Sequence, residues 1–237
     1  MSFRKQKTSP EIRDETSVIS WLQIMSGDDS EEHVKECIAD GDDINDPYPD
    51  GTALMHACSQ GSSIAARILL EAGADINCTK GGWGTTALAC SCEFKYDFQL
   101  TRTLLKAGAN PNLSADEDNR PLRIATRIFY KELVELLISF KADATRIDRD
   151  GNSLIHHALF EPEDRLLWEN VRKPTENERI EIIDLLMYAG ADIDAINKDG
   201  YTPLDLAYIA DYKTIINYLN ELCAKCNKYT PNSPAAP

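Results

Sequence analysis

The chain has 237 residues, 43% hydrophobic and 27% charged, and its 39 acidic against 25 basic residues give a formal net charge of −14. No stretch approaches the roughly 18 apolar residues of a membrane-spanning helix, and the charged start MSFRKQKTSPEIRDE lacks the apolar region of a secretory signal. These features predict a cytoplasmic protein that does not bind membranes. Nucleic acid is excluded as a partner because its binding needs Lys and Arg to replace counterions. The acidity favours basic protein partners, although a solvated surface also explains it.

The two ends of the chain are predicted to be disordered. Residues 1–15 show no apolar period, and the tail 227–237 is rich in Pro, Asn and Ala. After the first segment, Thr16 or Ser17 can cap a short helix over SVISWLQIM, and DDSEEHVKECIADG predicts a second helix that ends at Gly41. This pair, residues 16–45, is expected to cap the folded region.

Two sequence phrases recur from residue 46 onwards. The first is LLEAGADIN, which recurs as LLKAGANPN, LLISFKADA and LLMYAGADID, and the second is DGTALMHAC, which recurs as GTTALACS, NRPLRIA, DGNSLIHHA and DGYTPLDLA. The apolar markers of the second phrase are 33, 34, 33 and 49 residues apart, at Met55, Leu88, Leu122, Ile155 and Leu204. A fixed period of this length predicts an array of one supersecondary unit.

A period near 33 with this wording resembles the ankyrin repeat, over residues 16 to 226. The resemblance implies an all-α fold, a solenoid of about six helix pairs with β-turn or hairpin fingers, in which an inner helix is followed by an antiparallel outer helix. After the capping pair, the repeats are expected near 46–78, 79–113, 114–146, 147–195 and 196–226. The resemblance implies protein binding and no reaction.

The leucine pairs of the first phrase are expected on the outer helices, as core: Leu69/Leu70, Leu104/Leu105, Leu136/Leu137 and Leu185/Leu186. Gly73, Gly108 and Gly190 then follow where a left-handed residue ends a helix, and Lys141 takes that place in one repeat.

The 49-residue step contains an insertion, residues 160–178, between the two helices of its repeat. Thr175 and Glu178 have the spacing of a capping box, which predicts that the outer helix restarts there. The insertion is interpreted either as a lid over neighbouring helix ends or as a second contact site with Trp168 as its anchor.

Polar residues of catalytic or metal-binding type have structural interpretations. His56 and His156 resemble the histidine of the ankyrin phrase TPLH, which implies that they tie the turn to the helix. The sequence contains no HExxH, GxSxG or glycine-rich phosphate loop, so we expect no enzyme activity and no cofactor.

The cysteines predict no metal site. Cys90 and Cys92 would point to different faces of a helix, and Cys223 and Cys226 supply only two ligands. An odd count of seven cysteines indicates free thiols in a reducing compartment.

Asn77 and Asn112 end two copies of the first phrase, and two interpretations stay open. Either residue resembles a substrate of cytosolic asparaginyl hydroxylase, or it bridges the hairpin backbone as a turn asparagine.

In the ankyrin family the ligand usually meets the hairpin tips and the exposed side of the inner helices. The resemblance therefore implies these partner-binding candidates: Tyr48, Asp50, Trp83, Phe94, Asn119, Arg127, Arg149, Asn152, Lys198 and Tyr201. Trp, Tyr and Arg are the residue types that most often carry interface energy. We expect a monomeric, non-catalytic scaffold that binds one protein partner on its concave face. The alternative is a regulatory or targeting subunit of an enzyme, including a microbial effector in a host cytosol.

Overall fold

The computed structural model describes residues 31–39, 43–46, 51–80, 84–93, 98–114, 116, 120–160 and 173–226. They belong to two compact units that divide between Leu100 and Thr101. The predicted disordered ends, the first helix of the capping pair and the central part of the insertion lie outside the described residues. No helix in the described ranges is long and apolar enough to cross a bilayer.

Regular structure in the described residues is α-helical, apart from isolated β-bridge residues such as the pair Ile147 and Ser153, and this confirms the predicted fold class. The helices are α1 Glu31–Ala39, α2 Ala53–Ser59, α3 Ser63–Glu71, α4 Ala87–Glu93, α5 Phe98–Lys106, α6 Pro121–Arg127, α7 Lys131–Ser139, α8 Leu154–Leu159, α9 Glu176–Tyr188, α10 Pro203–Ile209 and α11 Lys213–Cys226.

Within each unit the helices pack in two layers. In the first unit the inner helix α2 contacts α3 and the next inner helix α4, and α1 contacts α3. In the second unit the inner helices α6, α8 and α10 pack in succession, as do the outer helices α7, α9 and α11. Each of these inner helices also packs against the outer helix that follows it. A repeat therefore buries its apolar surface against its neighbours, as in other repeat arrays.

One equivalent leucine in each of four outer helices is fully buried: Leu69, Leu104, Leu137 and Leu186. Four residues later the backbone takes a positive φ, which ranges from 67° at Lys141 to 100° at Gly108. The next N–H then donates to the leucine carbonyl, as Ala142 does to Leu137 over 3.0 Å. The predicted left-handed helix ends are confirmed, including the strained one at Lys141.

The prediction that both leucines of each pair are core is wrong for three pairs. Leu70, Leu136 and Leu185 are only half-buried, whereas Leu105 is buried beside Leu104. Successive helical residues point about 100° apart, so one member of a pair faces the interior and the other reaches its edge. LLISFKADA and LLMYAGADID are also offset by one residue, because their second leucine occupies the buried position.

Helix α2 begins sooner after its glycine than α8 does. Its N-cap Thr52, whose hydroxyl accepts from the N–H of Met55 at 3.4 Å, follows Gly51 directly. In the later repeat one residue separates Gly151 from the N-cap Ser153. The first copy of the second phrase, DGTALMHAC, is therefore one residue shorter between glycine and helix than the fourth copy, DGNSLIHHA.

This offset corrects the predicted position of one histidine. The third residue of the helix is His156 on α8 but Met55 on α2, and His56 lies one position further along. Leu54 is therefore equivalent to Ile155, and the prediction that Met55 is its counterpart is wrong.

The outer helix α9 begins at the predicted capping box. The Thr175 hydroxyl accepts from the N–H of Glu178 at 3.3 Å, and the N–H of Thr175 donates to the Glu178 carboxylate at 2.8 Å. Both groups would otherwise be unpaired at a helix start. The prediction that the outer helix restarts here is confirmed.

Arg179 on α9 is a buried cation that hydrogen-bonds to carbonyl groups at the C-terminal end of the preceding inner helix, α8. Its Nη1 donates to the carbonyls of Ala158 at 2.7 Å and Phe160 at 3.1 Å. The guanidinium carbon lies 4.6 Å from the ring centroid of Phe129 and 4.9 Å from that of Tyr212. In the flanking repeats a backbone N–H takes the carbonyl equivalent to that of Ala158, as Tyr212 does for Ala207 at 3.0 Å. Arg179 supplies that donor where the chain enters the insertion.

Glu176 caps the last helix from the neighbouring repeat. Its Oε2 accepts from the N–H groups of Thr214 at 2.7 Å and Ile215 at 3.0 Å, at the start of α11. A carboxylate there satisfies two donors and meets the positive end of the helix dipole. The capping therefore links α9 to α11 as well as starting α11.

Replacing Glu176 by Ala is expected to lower the free energy of unfolding by about 0.5–2 kcal/mol, the usual cost of losing a cap. Thermal unfolding measures the loss, and hydrogen exchange should show faster exchange at the amides of Thr214 and Ile215. The control is Asn177→Ala, at the exposed neighbouring position. Equal losses in the two variants would contradict the capping role.

Candidate functional site

Two consecutive tip turns in the second unit share one construction. In the first, Asp148 Oδ1 accepts from the backbone N–H groups of Asp150 and Asn152, both at 2.8 Å. In the second, Asn197 Oδ1 accepts from those of Asp199 at 3.1 Å and Tyr201 at 3.0 Å. An Asp or Asn at the start of each turn therefore fixes its backbone.

The two turns are also bonded to each other. The Nδ2 of Asn197 donates to Asn152 Oδ1 at 2.9 Å, and the N–H of Lys198 donates to the Asp150 carbonyl at 2.8 Å. Gly151 has a φ of +80°, and a Cβ there would lie 3.2 Å from the backbone of Asn197. This close approach requires glycine.

Asn152 was expected to be a surface residue, and that expectation is wrong. The residue is only 9% exposed, and both ends of its amide bond within the turns, to Asp148 Oδ2 and to Asn197. Tyr201 occupies the equivalent position of the next turn and is 42% exposed. The same position of the turn is therefore buried in one repeat and exposed in the next. The difference lies in the side chain, because the short amide of Asn152 fits between two turns.

A buried charge cluster supports the first turn. Asp148 Oδ2 lies 2.9 Å from His157 Nε2 and 3.6 Å from Arg123 Nη2, and these side chains are 14% exposed or less. Burial would raise the pKa of Asp148, but hydrogen bonds from Asn152, together with His157 and the N–H of Asp150, outweigh it and hold the pKa below its usual range. Asp148 is therefore an anion that accepts bonds from both the turn and the inner helices.

His157 is a neutral imidazole at pH 7. Burial, and then the charge of Arg123, lower its pKa to about 4 against the opposing effect of Asp148. Its Nε2 is bonded to Asp148, so the ring positions the turn.

His156 makes the contacts predicted from its phrase. Its Nδ1 lies 3.1 Å from the N of Ser153 and 2.9 Å from the hydroxyl, which forms a capping box at the start of α8. Its Nε2 lies 3.0 Å from the carbonyl oxygen of Tyr201 in the next repeat. The prediction that His156 ties turn to helix is confirmed.

The buried pair of His157 and Asp148 predicts that the free energy of unfolding falls in acid. In the unfolded chain His157 titrates near 6.5, so between pH 6.5 and 4 the unfolded state binds more protons. The contribution of His157 to the free energy of unfolding is fully present above pH 6.5. It falls as the pH drops, by at most about 1.4 kcal/mol per pH unit. The lowered pKa of Asp148 acts in the same direction at lower pH. Urea unfolding of the wild type at pH 7 and pH 5 measures the loss.

His157→Gln is the matched variant, because its amide can donate to Asp148 without titrating. We expect it to be less stable at pH 7 but to lose less between pH 7 and pH 5. An unchanged pH slope would show that another group is responsible.

The other predicted partner-binding residues that the structure describes are exposed. Arg149 and Lys198 hold equivalent positions in the two turns, and Arg127 lies at the end of the inner helix α6. Arg149 approaches Asp116 at 3.9 Å. The remaining candidates lie outside the described residues: Tyr48, Asp50, Trp83, Phe94, Asn119 and Trp168.

Exposed apolar side chains not chosen from the sequence also lie in the second unit. Ile147 and Ile196 precede the two turns at equivalent positions, Tyr188 ends α9, and Ile209 ends α10. The recurrence of isoleucine immediately before Asp148 and Asn197 is a signal that could have indicated the first two.

The described cysteines are buried and unbonded to one another. Burial raises the pKa of Cys90 to about 12, so its thiol is inert at neutral pH. In the described part of the chain no three His, Cys, Asp or Glu side chains form a metal-sized group. The side chains of Cys223 and Cys226 lie outside that part.

Asn112 bridges two successive hairpins. Its Nδ2 donates to the carbonyl of Lys141 at 2.9 Å, and its Oδ1 accepts from the N–H of Asp143 at 2.7 Å. Asn45 accepts in the same way from the N–H of Asp75 at 2.7 Å, two residues before Asn77. Asn112 therefore has the bridging role that one interpretation gave it, and an enzyme that modified it would have to break these bonds.

Comparison with known proteins identifies the repeat. Residues 22–115 match the family model described as ankyrin repeats, three copies. The chain is 30% identical to the E3 ubiquitin-protein ligase KEG of Arabidopsis thaliana over 169 residues. This alignment covers 68% of this chain and 10% of the ligase. It is 25% identical to Rabankyrin-5 of Mus musculus over 189 residues, and this alignment covers 70% of this chain and 15% of that protein.

A third relative is an ankyrin repeat-containing protein of Treponema pallidum (strain Nichols). It is 40% identical over 100 residues, which cover 41% of this chain and 32% of that protein. The chain thus spans no more than 32% of the length of any of these three relatives. Their shared element is the repeat, and ankyrin repeats generally mediate protein–protein interaction. Together with the layered helix pairs and their recurring helix ends, these matches show that the chain is an ankyrin repeat protein.

Proposed function

We propose that this chain is a non-catalytic scaffold that binds a protein partner through its tip turns and the exposed ends of its inner helices. The observation that carries the proposal is the exposure of Arg149, Lys198 and Tyr201 on turns that buried hydrogen bonds hold in place. A rigid backbone lowers the entropy lost on binding. Arg and Tyr are also the residue types enriched among residues that dominate interface energy.

The buried polar groups beside these turns support a role in holding the turn backbone in place. The Asp148 carboxylate and the His157 ring are bonded to each other and to the turn, which leaves the exposed side chains for contact. We propose that the protein acts as a monomer in a reducing cytosol, because its described cysteines are buried and form no disulfide with one another. The net charge of −14 supports a partner with a basic surface.

Photo-crosslinking tests which surface meets the partner. A photoreactive phenylalanine replaces Tyr201 in one variant and Tyr188 in the other; both tyrosines are exposed, but Tyr188 lies at the end of an outer helix. In lysate of the source cells, we expect a discrete protein adduct from the Tyr201 variant alone. Adducts from the Tyr188 variant alone would move the binding surface to the outer helices.

Tyr201→Ala is expected to weaken binding of the cross-linked partner by roughly 1–3 kcal/mol, the cost of truncating an aromatic interface anchor. Stability should barely change, because its backbone, and not its ring, bonds to Asn197 and His156. Titration of the purified partner against this variant, with Tyr188→Ala as control, measures the loss. The same loss is predicted for Trp83→Ala, and Trp168→Ala tests the insertion as a second contact site.

The alternative function is a regulatory or targeting subunit of an enzyme, including a microbial effector in a host cytosol. Two comparisons favour it: one relative is by name an E3 ubiquitin-protein ligase, and another is a bacterial protein. If the cross-linked partner is an enzyme whose rate or location changes when this chain binds, the alternative is supported.

A further inference from the structure

The last inner helix of the second unit exposes positions that are buried in the two inner helices before it. The helices α6, α8 and α10 begin at the N-caps Arg120, Ser153 and Thr202. Four and six residues after the cap lie Ile124 and Thr126 on α6, His157 and Leu159 on α8, and Leu206 and Tyr208 on α10. The residues at these positions of α6 and α8 are at most 6% exposed, whereas Leu206 is half-buried and Tyr208 is 55% exposed.

The outer helices show the same change. Three residues before the buried leucine of each outer helix lie Val134 on α7, Ile183 on α9 and Ile216 on α11. Val134 and Ile183 have no exposed surface, but Ile216 is half-buried. In both layers a following helix packs against the earlier helices, and no helix follows α11 in the described part of the chain. Leu206, Tyr208 and Ile216 therefore lie on the side of their repeat where a further repeat would stack, and we call them the end face.

The end face is shared by α10 and α11 and is distinct from the tip turns. The Tyr208 hydroxyl accepts from Nδ2 of Asn220 at 3.3 Å, so its side chain reaches from α10 to α11. Ile216 lies four residues before Asn220, on the same side of α11. The outer face of a terminal repeat is ordinarily polar, but the end face is aliphatic and aromatic. Covering it would remove apolar area from water, which is favourable.

A second copy of the chain is a poor cover for the end face. A stable interface buries about 800 Å² on each partner and engages about 20–30 residues, whereas the end face belongs to a single helix pair. The net charge of −14 also opposes the approach of two copies. A segment of the same chain needs far less contact, because its effective concentration beside the face is high.

The segment that follows α11 has the composition to cover the end face. Residues 227–237, NKYTPNSPAAP, lie outside the described residues, and from Tyr229 onwards they carry no charged side chain. Their three prolines, Pro231, Pro234 and Pro237, favour the polyproline II conformation. Aromatic side chains bind proline-rich segments of this kind, and Tyr208 supplies an exposed aromatic ring.

The segment is also long enough to reach the end face. At about 3.1 Å per residue in the polyproline II conformation, residues 227–237 extend about 34 Å. Asn220 lies six residues before Cys226, a distance of only about 9 Å along α11. The segment can therefore turn back at the end of α11 and pass both Asn220 and Tyr208.

We infer that residues 227–237 fold back over the end face and cap the array, with Tyr229 and the prolines covering the apolar side chains of α10 and α11. The composition that predicts disorder lacks the apolar residues for a core of its own, and the end face supplies the surface that such a segment needs. The segment takes the place of a further repeat and leaves the tip turns to the protein partner.

A double-mutant cycle tests the cap. Thermal unfolding is followed for the full chain and for a variant that lacks residues 227–237, each with and without Tyr208→Ser. We expect removal of the segment to lower the unfolding midpoint by about 2–4 °C, the shift caused by the loss of one modest contact in a chain of this size. In the Tyr208→Ser background the same removal should lower the midpoint clearly less, because the contact is already lost.

Tyr188→Ser is the matched control, because Tyr188 is 89% exposed at the end of α9 and lies outside the end face. In this background, removal of the segment should lower the midpoint as much as in the wild type. Equal shifts in the wild type and the Tyr208→Ser variant, or no shift in either, would overturn the cap.

Cross-linking identifies what covers the end face. A photoreactive phenylalanine in place of Tyr229 should form cross-links within one chain, to peptides from residues 204–216. Cross-links to these peptides in a second copy would assign the end face to a dimer. Adducts with another protein in lysate of the source cells would assign the segment to a partner. Either result would overturn the cap, as would the absence of cross-links to the end face.

Discussion

Replacing Leu186 by Ala is expected to lower the free energy of unfolding by about 2–5 kcal/mol, the range for a large-to-small substitution in a packed core. Leu186 has no exposed surface and lies in α9, which packs against α7, α8 and α11. A cavity there would lie within a helix that packs against three others, and the equivalent Leu137→Ala should behave alike. Thermal or urea unfolding gives the loss.

The neighbouring Leu185 is the matched control, because it has the same side chain but is only half-buried. We expect Leu185→Ala to cost clearly less than Leu186→Ala. If Leu186→Ala cost less than about 1 kcal/mol, the site would have to collapse without a cavity, which would contradict the packing described.

Arg179→Ala is expected to destabilise the second unit by roughly 3 kcal/mol or more, because the buried carbonyl of Ala158 and the partly buried carbonyl of Phe160 lose a charged donor. The stacking on Phe129 and Tyr212 is lost at the same time. Removing the cation also relieves the cost of burying its charge. We expect the losses to dominate, because a short side chain leaves the space between two rings empty.

Arg179→Lys separates the contributions, since it keeps the charge but loses the planar fork that stacks between the rings. Its stability should fall between those of the wild type and Arg179→Ala. Arg149→Ala, at a position whose side chain is 76% exposed, is the surface control and should have little effect. A loss in Arg179→Ala no greater than in this control would show that water replaces the guanidinium as donor.

The repeated phrases predicted the layered helix pairs because local chemistry determines them. Gly73, Gly108 and Gly190 end helices through their own backbone freedom, and the Thr175 capping box involves residues three apart. Such contacts lie within one phrase of the sequence. They were therefore predictable without knowledge of neighbouring repeats.

Contacts between repeats were not predictable in the same way. Arg179 meets Phe129 and Tyr212, which are 50 and 33 residues away in the sequence. The sequence predicts Asn152 as a partner-binding residue at a tip, although its amide is bonded to Asn197, 45 residues later. The candidate site combines both situations: local turns position Lys198 and Tyr201, but contact with the next repeat determines which tip residues remain exposed.

The guanidinium of Arg179 also bears on how the chain tolerates change in length. It joins the carbonyl of Phe160 to the first turn of α9, so the two points where the chain leaves and rejoins the helix stack are bonded directly. The entropy of closing a loop rises only by about 0.6 kcal/mol for each doubling of its length. The intervening segment can therefore lengthen, shorten or carry a grafted peptide without altering the register of the repeats on either side. The insertion is thus a position in the array where the length of the chain can vary residue by residue.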